Sequence, residues 1–197
     1  MTAEQFNIFW ASNFADTIPI QHYFRHDYPD RWFRIHSLPG SKRYPDNKRE
    51  WEILLGRQNE IITDLLGNHS TFVLVTGDSE QEGYTELHPI AAVDSIAKIP
   101  FVLIDEINLY KLNPTMYEPG HLYKPMISEQ VWQPNNFDNI LKDIANESLR
   151  AFFVSIDNNL IVAPYDGGMD LILKDTENRN FYREKYKHWL PQESDGL

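Results

Sequence analysis

Cysteine is absent from this 197-residue sequence, which excludes disulfides, thiolate zinc sites and cysteine nucleophiles. No stretch approaches the roughly 20 apolar residues that span a bilayer. The opening MTAEQFNIFWASNF has neither a basic leader nor an uninterrupted apolar run, so no secretory signal is expected and a cytoplasmic location is the default. There is no Walker loop, dinucleotide fingerprint or HExxH pair, and no glycine-rich strand-to-helix turn. Positive charge is scarce too. Eighteen Lys and Arg stand against 29 Asp and Glu, a net charge of −11, which argues against non-specific nucleic-acid binding.

What is present suits a globular protein. Apolar residues make up 42% and aromatics 13%, enough for a sizeable core. The length favours one domain over 1–197, with a polar, mobile tail from about 191. Charge is unevenly spread. Residues 25–57 hold eight bases against five acids, a local +3, whereas residues 78–138 hold ten acids against three lysines, a local −7.

Periodicity places helices over 2–14, 47–66, 137–149 and 175–189. The second has the clearest signals: Asp46 or Asn47 to cap it, an apolar stripe from Trp51 to Leu66, and Gly67 to stop it. Strands are expected at 32–36, 71–76, 87–93, 101–107, 121–123 and 127–133, with residues 77–86 an acidic loop. Residues 152–173, FFVSIDNNLIVAPYDGGMDLIL, read as a three-strand meander. Its turns fall at Asn158-Asn159 and Asp166-Gly167, pairs that accept positive φ. Clustered strands with helices between the clusters predict an α+β fold with a mainly antiparallel sheet and about four helices.

A two-residue turn at Asp166-Gly167 pairs Tyr165 with Gly168 and Ala163 with Asp170. Leu160, Val162, Pro164, Met169 and Leu171 then share a core face, and Asp170 falls on the other face among Ile161, Ala163, Tyr165 and Ile172. A carboxylate there needs a partner, and without one burial raises its pKa. A general base, a substrate anchor and a structural acid paired with an arginine all fit. On the strand at 32–36, alternation sets Arg31, Phe33 and Ile35 against Trp32, Arg34 and His36. The second set suits an anionic or aromatic ligand, or supplies Arg34 as the ion partner of Asp170. Candidate ligand- or partner-binding residues are therefore Arg31, Arg34, His36, Tyr165, Asp166, Gly167, Gly168 and Asp170. His22 and His26 look extended between Pro19 and Pro29, too far apart to chelate one ion. No metal or cofactor is expected, and no catalytic residue is assigned.

The phrases HDYPDRWFRIHSLPGSKRYP, FDNILKDIANE, APYDGGMDLIL and YREKYKHWLPQESDGL together resemble a bacterial domain-of-unknown-function family. In that family an RxHSLP…SKRY segment and a YDGG-D hairpin recur. The resemblance covers most of the chain, least distinctively from 78 to 134. It implies a cytosolic bacterial origin and one domain, and it implies no activity. With no coherent catalytic constellation, the acidic middle points to a non-enzymatic module of immunity or regulatory type with a basic protein partner. A small enzyme or anion-binding protein, with a cleft of Arg, His, Tyr and Asp, is the alternative. The sequence sets no oligomeric state.

Overall fold

The computed structural model describes residues 1–81 and 90–192. Successive residues of a strand point to opposite faces, so a run such as Phe152-Phe153 demands a core on each side of its sheet. Both cores exist. Phe153 packs with Phe33, Ile35, Phe72 and Leu74 on one face, and Phe152 packs with Val73, Val75, Ile161 and Ile172 on the other.

The sheet is antiparallel throughout. It comprises β1 (Trp32–His36), β2 (Thr71–Glu80), β3 (Val102–Leu103), β4 (Ile107–Asn108), β5 (Leu122–Val131), β6 (Ala151–Ser155), β7 (Leu160–Pro164) and β8 (Gly168–Ile172). Their order is β1-β8-β7-β6-β2-β5-β3, with β4 also on β5. Six helices among the described residues complete an α+β fold: α1 (Ala3–Asn13), α2 (Phe24–Asp27), α3 (Lys48–Leu66), α4 (Leu109–Leu112), α5 (Asp138–Ala145) and α6 (Thr176–Lys185). Helices α3 and α5 supply Ile61, Ile62, Leu65, Ile140 and Leu141 to the Phe153 core. Helix α1 and α2 close the Phe152 core with Phe6, Trp10 and Phe24. At about 2 kcal/mol for each fully buried large side chain, these two layers hold the molecule together.

Helix α3 begins and ends on the expected signals. The Asn47 side chain accepts from the Glu50 N–H at 3.1 Å, and Gly67 takes φ 90 at the exit. Helix α5 stops at Ala145, short of 149. Glu147 adopts φ 60, and the N–H groups of Ser148 and Leu149 both turn back to the Asp143 carbonyl. At the C-terminus Asp175 caps α6, and the expected helix to 189 continues only as a 3₁₀ turn at Lys187–Trp189.

Other expectations need correction. His22 and His26 are not extended: a 3₁₀ turn at Gln21–Tyr23 runs into α2, because Phe24 is buried and closes a turn with the Tyr28 N–H. Strand β2 runs on through Glu80 into the supposed loop, pairing Ser79 with Tyr123. The strands expected at 121–123 and 127–133 are one strand, β5, with Pro125 inside it. Its backbone faces β3, where its carbonyl accepts from the Ile104 N–H at 3.0 Å; its missing N–H therefore deprives β2 of nothing. The strand expected at 101–107 divides into β3 and β4. Part of the strand expected at 87–93, His88, the end of the loop at 77–86 and the tail from 193 lie outside the described residues; Ile90–Ala92 is a 3₁₀ turn.

In the meander, Pro164 pairs with Met169 and Ala163 with Asp170, as the two-residue turn requires. Positive φ is not how it turns, for neither Asp166 nor Gly167 adopts it. The first connection is longer than a tight turn: Ser155 pairs with Leu160, and only Asn159 is left-handed, at φ 49.

Candidate functional site

The β1–β8 register sets Arg34 opposite Asp170. Arg34 Nε donates to Asp170 Oδ1 at 2.7 Å and Nη2 to Oδ2 at 2.8 Å, while Trp32 Nε1 donates to Oδ1 at 2.8 Å. The Asp170 residue is 6% exposed. The Tyr165 ring lies 4.5 Å from the guanidinium carbon. Burial alone would lower the pKa of Arg34, but the hydrogen bonds and charge of Asp170 outweigh it and raise the value. Burial also pushes the Tyr165 phenol up, and the charges of Asp170 and Asp166 add to this against Arg34. A carboxylate already holding three N–H donors in a bidentate clamp is built as a structural ion pair rather than as a proton acceptor for a substrate.

A second cluster covers the hairpin tip. Asp166 is buried, and Arg43 Nε donates to its carboxylate. Arg43 also reaches Glu147 at 3.5 Å, and the Tyr44 hydroxyl donates to Glu147 at 3.1 Å. Hydrogen bonding to Asp166 foremost, with desolvation and Glu147, pushes the Tyr44 phenol up to about 12. The Gly167 carbonyl accepts from the Ser37 N–H at 3.1 Å. Gly168 lies so close to β1 that a Cβ there would run into the Ile35 carbonyl oxygen.

Arg34, Tyr165, Asp166 and Asp170, with the two glycines, thus form one continuous patch. His36 borders it, opposite Gly168; its carbonyl accepts from Arg57 Nη1 at 3.0 Å. Burial, then the charges of Arg34 and Arg57, lower the His36 pKa. Arg31 stands apart and not on the Phe33–Ile35 face. Its Nε donates to the Leu173 carbonyl at 2.6 Å, and its guanidinium lies over Tyr28 and Phe14 in the opposite core. Arg43, Tyr44 and Glu147 went unread in the sequence; nothing local marks a residue that contacts another more than 100 positions away.

The same holds for Ser79 and His121. The extension of β2 brings Ser79 Oγ to 2.5 Å from His121 Nε2. Among the described residues no carboxylate is hydrogen-bonded to His121 in the place that the orienting acid of a triad takes. No group of three metal-ligating side chains occurs among the described residues either. A shallow cleft of about 460 Å³ opens at the other end of β2 and β5, against Thr71, Glu129, Gln130 and Phe137. It is remote from both clusters, and its carboxylate, Glu129, meets the N-terminal amine at 3.2 Å. No helix among the described residues is long and apolar enough to cross a membrane.

The phrases RIHSLPGSKRY and YDGGMD, far apart in sequence, therefore meet across β1 and β8. Residues 20–193 match the family described as Domain of unknown function (DUF3885). The chain belongs to that family. The match includes both phrases and every strand of the sheet, while α1 lies ahead of it. No curated protein and no solved structure matches the chain.

Proposed function

We propose that this member of the family is a non-catalytic, acidic protein-binding module of immunity or regulatory type, and that a basic protein docks on the sheet edge formed by β3, β4 and α4. The distribution of exposed apolar side chains carries this reading. Nine large ones are exposed among the described residues, and five of them (Val102, Leu103, Tyr110, Leu112 and Met116) fall between 102 and 116. Open sheet edges and apolar strips invite a partner. Asp105, Glu106 and Glu118 interleave with them against a single base, Lys111, and the surrounding −7 segment would steer a basic surface toward this edge. The satisfied Arg34–Asp170 pair supports a non-catalytic reading of the hairpin patch.

The test compares capture from native lysate by the tagged wild-type chain, Leu103→Asp and Lys111→Glu. The expected partner is basic, binds stoichiometrically, is released by salt, is lost with Leu103→Asp and is retained with Lys111→Glu. Capture that survives Leu103→Asp in a natively folded variant, or a partner without excess positive charge, refutes the reading.

A further inference from the structure

One end of the sheet gathers groups that the partner reading leaves unused. Ala151 of β6 pairs with Thr76, so β2 beyond Thr76 outruns β6. Arg150 stands at that step, its carbonyl accepting from Thr76 Oγ1 at 2.7 Å and its side chain exposed. The turn leading into α2 is fastened to the same end, because Gln21 Nε2 donates to the Ala163 and Pro164 carbonyls at 3.2 and 2.7 Å. Tyr117, ahead of β5, ties these pieces together: its hydroxyl lies 3.2 Å from His22 Nε2 and 3.5 Å from the Tyr23 hydroxyl. Arg25 Nε donates to His26 Nε2 at 3.1 Å.

The charges acting on His22 are of one sign, and the one acid nearby, Asp27, acts on Tyr23. Neither Arg25 nor Arg150 makes an ion pair among the described residues, unlike Arg34 and Arg43. Desolvation lowers the His22 pKa, and the charges of Arg150, His26 and Arg25 lower it further, with no carboxylate opposing them. On a chain with 11 more acids than bases, two arginines, two histidines and two phenols are assembled here against one nearby acid, Asp27, an excess of positive charge and hydrogen-bond donors that suits an anion. From this juxtaposition we infer that Arg25, Arg150, His22 and His26, with the Tyr23 and Tyr117 hydroxyls, form a binding site for the phosphate group of a small molecule. Phosphate matches the set chemically: its oxygens accept several charge-assisted hydrogen bonds at once, and guanidinium groups suit them geometrically. Phosphate binding favours the protonated His22 imidazole, which burial and the neighbouring positive charges disfavour.

The experiment is imidazole-detected NMR of the full chain, titrated with pyrophosphate at constant ionic strength. His22 and His26 are assigned through His22→Gln and His26→Gln. Their resonances move together along a saturating curve, while those of His69 and His188 do not move. Arg150→Ala removes a side chain with no hydrogen bond among the described residues, keeps the native fold and weakens binding about tenfold. Arg25→Ala does the same, and Arg183→Ala on α6 has no effect. A response that fails to saturate, that is equal at His69 and His188, or that keeps its affinity in both Arg150→Ala and Arg25→Ala overturns the inference.

Discussion

Asp170→Asn isolates the role of the buried carboxylate. Asparagine keeps the volume, and its Oδ1 still accepts from Trp32 or Arg34 Nε. Its Nδ2, however, faces Arg34 Nη2 donor to donor, where 2.8 Å now separates Nη2 from Oδ2. The guanidinium, with a side chain 12% exposed, is left without its counter-charge. Removing one partner of a buried ion pair costs about 3–5 kcal/mol. The position on an edge strand and the residual access of Arg34 to water set the expectation near 3. For a chain of this length about 1 kcal/mol moves Tm by roughly 2–4 °C, so a fall of about 6–12 °C follows. Thermal unfolding followed by circular dichroism at pH 7 reads it directly. Deleting both charges in Arg34→Met with Asp170→Leu leaves no uncompensated ion, only the Trp32 N–H without an acceptor, at about 1–3 kcal/mol. The double variant is therefore expected to be more stable than Asp170→Asn. A Tm for Asp170→Asn within about 2 °C of wild type, or a double variant whose loss equals the sum of the two singles, refutes the structural assignment.

Two glycines predict opposite outcomes. Gly168→Ala sets a Cβ against the Ile35 carbonyl and is expected to unfold the β1 edge or cost about 3 kcal/mol, whereas Gly56→Ala, exposed on α3 with open space around it, is expected to gain about 1 kcal/mol; urea unfolding measures both. The lowered His36 pKa favours the neutral imidazole in the folded chain. The stability from this histidine is full above its unfolded pKa and is lost as pH falls through that value toward the folded one; His36→Gln is expected to flatten the fall in Tm between pH 7.5 and 5.5, and an unchanged slope contradicts this.

What could be read in the sequence was local. Asn47, the Trp51-to-Leu66 stripe and Gly67 define α3 because capping and amphipathicity act over a few residues. The Asp166-Gly167 turn fixed the Ala163–Asp170 pairing because hairpin register follows from loop length. Arg34 stood among the possible partners of Asp170, though the pairing itself needed the β1–β8 register. Harder features depend on distant chain. The strands expected at 121–123 and 127–133 join into one because the Pro125 backbone faces β3 instead of β2. His22 and His26 read as extended because two prolines bracket them, yet the segment between is long enough for two helical turns, and burial of Phe24 decides in their favour. Arg43 and Tyr44 reach Asp166 and Glu147 only after β1 and the segment beyond it have docked on the hairpin.

The doubly buried meander leaves an alignment problem that its polar residues solve. In a sheet with one wet face, sliding a strand by one residue exposes its apolar side chains, and that penalty holds the register. Every residue of β6, β7 and β8 is buried, so burial alone scarcely tells one alignment from the next. The Arg34–Asp170 clamp, the Trp32 indole and the gap at Gly168 all fit together in one alignment only. A slip of β1 by one residue would set Asp170 against Phe33 or Ile35, and would bring a neighbour of Gly168 to the place where only glycine clears a carbonyl. The ion pair thus serves as an address for the edge strand, and its apolar replacement would threaten uniqueness of pairing more than stability.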